Sequence, residues 1–173
     1  MFDSRFLLKV ADALVAEVAE KTDAVLEAAR RLEQREGFME RLKGSFAAGG
    51  LVGELVRNLE LALKLCEKIP PEIELDNGKT AATVKAEALF QRGVIAIGRN
   101  QLKEAVKFFE ESLKAAPSQA ALYNIAICYL QMKGWFTDRT QDAVDALQKC
   151  ISLDPESEIA VQAGKELARL GRL

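Results

Sequence analysis

The sequence predicts an all-α protein, a row of amphipathic helices whose later members repeat one helix–turn–helix unit. Three observations carry this expectation. Only 4 prolines interrupt 173 residues, and Ala, Leu, Glu and Lys are plentiful, so long helices can run unbroken. Apolar residues recur at three- and four-residue steps, the period of a helix with one buried face. One pattern of large and small residues returns further along the chain at a constant offset, as stacked repeats require. No segment reads as a strand.

The first helix is expected over residues 3–36. Leu7, Leu14, Val18, Val25 and Leu32 form its apolar stripe, with Leu8, Val15 and Ala29 in a second row beside it. Asp3 or Ser4 can cap its start, and Gly37 can end it. So long a stripe needs a partner surface, in the same chain or in a second copy. A short helix is expected over 38–47, stopped by Gly49-Gly50, and a third over 51–69, stopped by Pro70-Pro71. Residues 72–79 read as a polar linker with an Asn77-Gly78 turn. These elements make an N-terminal helical region, 1–80.

Residues 81–173 carry the repeat. Leu89, Phe90, Gln91, Gly93 and Ala96 correspond to Leu122, Tyr123, Asn124, Ala126 and Tyr129, each pair 33 residues apart. Ala105, Phe109, Ser112, Leu113 and Pro117 correspond to Ala143, Leu147, Cys150, Ile151 and Pro155, each 38 apart. The change of offset places a five-residue insertion between the two sets, near 133–140. The repeats are therefore bounded at 86–118 and 119–156, and a further helix over 156–170 closes the row.

These residues resemble the tetratricopeptide repeat (TPR) family. The resemblance covers residues 81–173 and implies an α-α superhelix of two clear repeats with a C-terminal capping helix. It gives each position a task. Gly93 and Ala126, with Ala105 and Ala143, are small where two helices cross closely. Phe109 and Leu147 fill the space between repeats, while Pro117 and Pro155 stop the second helices. Arg92 and Ala96 depart from the family's usual Leu and Tyr. Leu59, Leu63 and Pro71 have the spacing of a second helix in a degenerate earlier repeat, although Leu59 is large where Ala belongs.

In that family the first helices of the repeats line a concave groove that holds a peptide or a helix. Carried over residue by residue, the groove here is Phe90, Gln91, Val94, Ile97, Tyr123, Asn124, Ile127 and Leu130. Its apolar character fits an amphipathic helix of a partner protein. The clamp that grips acidic chaperone tails needs Lys and Asn where this chain has Phe90 and Val94, so that role is excluded. Two readings stand. In one, the groove takes a partner and the protein is an adaptor, scaffold or chaperone. In the other, the chain's own N-terminal helices fill the groove and the first helix builds a homodimer through Leu7, Leu14, Val18, Val25 and Leu32. Trp135 and Phe136 in the insertion are a candidate loop anchor, or a cover for the helix ends.

Composition removes other classes. The 0 histidines leave no imidazole base, no Ser-His or Cys-His pair and no His-bearing zinc site, so no enzyme is expected, and neither cofactor nor metal. With 24 basic against 26 acidic residues the net charge is -2, and no basic track suits nucleic acid. The 3 cysteines lie far apart and suit a reducing compartment. Charges at Asp3, Arg5, Lys9 and Asp12 break up any leader, and no stretch is apolar enough for a membrane span, so a cytoplasmic location is expected. Gly78-Lys79-Thr80 has the end of a phosphate-binding loop, but Ile73 stands where its first Gly belongs and no strand precedes it.

Overall fold

The computed structural model describes residues 3–32 (backbone only from 25), 50–132 and 139–172. It contains seven helices among the described residues: α1 Ser4–Leu32, α2 Leu51–Cys66, α3 Ala81–Gly98, α4 Leu102–Ala115, α5 Gln119–Gln131, α6 Thr140–Leu153 and α7 Glu158–Arg169. Among the described residues there is no strand, only one isolated bridge between Glu74 and Thr80. The fold is an all-α helical repeat. The expected helix over 38–47 lies outside the described residues.

Three helix starts are capped by a side chain. Thr80 and Thr83 cap α3 reciprocally, each hydroxyl accepting from the other's backbone N–H at 3.4 and 2.8 Å. Ser118 Oγ accepts from Ala121 N at 3.2 Å to start α5, and Ser157 Oγ accepts from Ala160 N at 3.0 Å to start α7. Between α3 and α4 the chain reverses through Asn100, whose φ of 60° lies in the left-handed region that Asn tolerates better than most residues. Helix α2 ends at Cys66, earlier than the expected 69, because Lys68 and Ile69 switch to tighter bonds on Leu65 and Cys66.

The helices stack as a row of hairpins. Helix α4 packs on α3 and α5, and α6 on α5 and α7. The same arrangement continues toward the N-terminus: α1 packs on α2, α2 on α3 and α1 on α3, just as α5, α6 and α7 do among themselves. The α1–α2 hairpin thus occupies the place of an additional repeat. Its core joins Leu8, Ala11, Val15 and Val18 of α1 with Val52, Leu55, Leu59 and Ala62 of α2 and with Val84, Ala88 and Ile95 of α3. The linker takes part too. Leu75 is buried in that core while its neighbours Glu74 and Asp76 stay exposed, and Leu75 N donates to Lys79 O at 2.9 Å.

A second core runs from Ala96 through α4, α5, α6 and α7. The two repeats solve its packing differently. In the first, Gly93 lies under the Phe109 ring, where an added Cβ would stand 2.5–2.7 Å from ring carbons. In the second, the equivalent pair is Ala126 and Leu147, both fully buried. The larger filler demands the smaller floor. A further bond recurs in register: Ser112 Oγ donates to Ala86 O at 2.8 Å, and at the equivalent places Cys150 Sγ donates to Gln119 O at 3.5 Å. Each ties the end of a second helix to the start of the first. Burial pushes the Cys66 and Cys128 thiols up to about 11, so neither forms a thiolate at neutral pH.

In α7 the corresponding glycine, Gly164, meets nothing within 4 Å of an added Cβ. Two identical substitutions should therefore act in opposite directions. Gly93→Ala should cost about 1–3 kcal/mol through overpacking, and Phe109→Leu in that background should recover part of the loss. Gly164→Ala should gain about 0.5–1 kcal/mol from helix propensity alone. Urea unfolding of the four chains measures this; an equal effect at both glycines would contradict the packing described.

Candidate partner groove

Helices α3 and α5 present the same face of their respective repeats. On it Phe90, Val94, Ile97, Tyr123 and Ile127 are half-buried: their inner sides pack on the second core and their outer sides stay open among the described residues. Leu130, expected in the groove, is buried and belongs to the core, because α5 turns it inward near its end. The Phe90 ring is set 5.4 Å from that of Phe109 at 51°, which fixes it in place. Partial burial, with Glu166 nearby, raises the Tyr123 phenol above its ordinary value, so it stays neutral and able to donate. Asn124 Nδ2 donates to Ala120 O at 2.8 Å. Gln91 Oε1 is buried and has no partner among the described residues.

Helix α1 forms a wall of this groove. A cleft of about 390 Å³ lies between it and the repeats, lined by Ala16 and Ala19 of α1, Glu87, Phe90 and Gln91 of α3, and Ala120 of α5. Sequence reasoning missed Ala16 and Ala19: they stand beside the apolar stripe, where alanine looks indifferent. The stripe itself is used within the chain. Val18 is fully buried, and Leu7 and Leu14 pack against the same core. The side chains of Val25 and Leu32 lie outside the described residues, as do Trp135 and Phe136.

One polar cluster fixes α1 beside the cleft. The Lys79 ammonium donates to Asp12 Oδ1 of α1 at 2.8 Å and to Glu87 Oε2 of α3 at 2.9 Å. This also explains why Gly78-Lys79-Thr80 is no phosphate loop. The lysine is engaged by two carboxylates, and Thr80 caps α3. Arg92, the departure noted above, lies 4.4 Å over the Phe108 ring and 3.6 Å from Glu60 of α2. It joins α2 to the first repeat by cation–π and ionic contact where the family has an apolar one. Among the described residues no group of three metal-ligating side chains converges, and no helix is long and apolar enough to cross a membrane.

The architecture is that of a helix–turn–helix repeat array. Residues 86–119 and 120–157 each match a family model described as tetratricopeptide repeat. No curated protein and no solved structure matches the chain. Residues 86–157 thus belong to the tetratricopeptide repeat family, whose members are generally protein–protein interaction modules.

Partial burial works to lower the Lys79 pKa, but its bonds and charge contacts with Asp12 and Glu87 outweigh this and raise it above 10.5. A raised lysine stabilises the fold below its unfolded value and loses that contribution as pH climbs through the folded one. Wild type should therefore melt above Lys79→Met at neutral pH, and the gap should close above about pH 10.5. Thermal melts of both chains from pH 7 to 12 test it; a gap unchanged throughout would show that the ammonium contributes nothing to holding α1.

Proposed function

We propose that the protein is a non-enzymatic interaction module, an adaptor or scaffold that holds a segment of a partner protein against α3 and α5. The observation that carries this reading is the apolar inner face of both repeats. Phe90, Val94, Tyr123 and Ile127 remain only partly buried, with Phe90 at a cleft bordered by α1. A row of half-buried apolar and aromatic side chains beside an amide acceptor, Gln91 Oε1, that has no partner among the described residues suits a segment that brings both apolar surface and N–H donors. The alternative of a homodimer built on the α1 stripe gains no support where the stripe is described, since Leu7, Leu14 and Val18 already pack within the chain. A chain-internal filling by α1 is likewise not favoured, since α1 walls the cleft at Ala16 and Ala19.

The test is site-specific photocrosslinking in native extract. A benzoylphenylalanine at Ile127 should give one discrete partner adduct, and the same group at Lys107 on the outer face should give none. Tyr123→Ala should abolish the adduct while lowering the melting midpoint by no more than about 5 °C. Equal adducts at both positions, or an adduct indifferent to Tyr123→Ala, would contradict a groove-bound partner.

A further inference from the structure

The groove does not stop at the two matched repeats, and its extension onto α1 has a charge. In α1, Asp12, Ala16, Ala19 and Asp23 follow one another at steps of four, three and four, which places them on a single helical face. Ala16 and Ala19 line the cleft opposite Phe90, and Asp12 meets the Lys79–Glu87 cluster at its rim. Asp23 continues the same line one turn beyond Ala19, and Glu20 follows Ala16 by one turn. Both acids are exposed. The nearest cation in sequence, Lys21, is turned away to Glu17 at 2.6 Å and Glu54 at 3.6 Å. At the rim two carboxylates share one ammonium, which leaves an excess of negative charge there too.

A polar group left without a partner among the described residues has the same bias: Gln91 Oε1 is an acceptor buried at the cleft. The opposite end of the array differs: α7 carries the exposed Lys165 and Arg169, the latter 2.9 Å from Glu166. The exposed acids Glu20 and Asp23 therefore stand at the α1 end of this face. A cationic side chain is the group that answers both needs, since Lys and Arg bring positive charge and only donors.

Resting on the groove reading above, we infer that the occupant is a cationic amphipathic segment of a partner protein. Its apolar side enters the cleft between Ala16, Ala19 and Phe90, and its Lys or Arg residues meet Asp23, Glu20 and Glu87. Helix α1, outside the matched repeats, is then the element that selects the partner. The two alanines keep the wall low enough for a backbone to approach, and the acids one turn to either side set the charge it must carry.

The probes are two fluorescein-labelled short peptides with one Leu/Ala framework, carrying Lys in one and Glu in the other at the polar positions. Fluorescence anisotropy on the full chain should show the Lys peptide binding about tenfold tighter, weakening as salt rises past about 0.15 M. The double substitution Glu20→Lys/Asp23→Lys should remove that preference, whereas Glu111→Lys on the outer face should leave it. Preference for the Glu peptide, equal binding of both, binding of neither, or an equal loss in Glu111→Lys would each overturn the assignment. Ile127→Asp separates the two levels of the argument. If the Glu peptide binds and Ile127→Asp releases it, the groove stands and the charge assignment falls. If the Lys peptide binds regardless of Ile127→Asp, both fall.

Discussion

Helix α3 is packed from two directions, and the rest of the structure depends on how it meets that demand. One side faces the N-terminal hairpin through Val84, Ala88 and Ile95, and the other carries the second core from Ala96 onward. A helix squeezed between neighbours cannot carry large residues all round. Ala81, Ala86, Ala88, Gly93 and Ala96 are all buried on it. These small residues let α1, α2 and α4 approach closely, while Phe90, Val94 and Ile97 keep an apolar inner face. The groove and the stacking are thus two consequences of one residue pattern.

From that helix the array propagates by repetition with compensation. Gly93 with Phe109 and Ala126 with Leu147 are alternative fillings of the same crossing. Ser112 and Cys150 make the same bond to the start of the preceding helix, one with a hydroxyl and one with a thiol. A residue that composition marks only as a buried cysteine proves to be a weaker copy of a serine's hydrogen bond. Toward the N-terminus the logic changes. The α1–α2 hairpin joins α3 by the same neighbour relations, yet its polar contacts are its own: Lys79 bridging Asp12 and Glu87, and Arg92 reaching Glu60.

This contrast explains what could be read from the sequence. Helix order, the two repeats and the inward faces follow from period and offset, which are local properties. Two kinds of feature do not. Lys79 and Asp12 are separated by 67 positions, and no spacing rule links a linker lysine to an aspartate on the first helix. Leu75 is one apolar residue in a polar run, and its burial depends on how the loop closes between Glu74 and Thr80. The α1 stripe told which face is buried but not against what. Consequently its neighbouring Ala16 and Ala19, which border the cleft, gave no signal of their own.

The central claim is that α1 is an integral member of the array. Native-state hydrogen exchange on the full chain tests it most directly, comparing the amides of residues 8–22 in α1 with those of residues 84–96 in α3. The packing predicts that both sets open at closely similar free energies, set by one cooperative unit. Exchange of the α1 amides near the unprotected rate, while α3 and α5 remain protected, would contradict it. The groove would then end at α3.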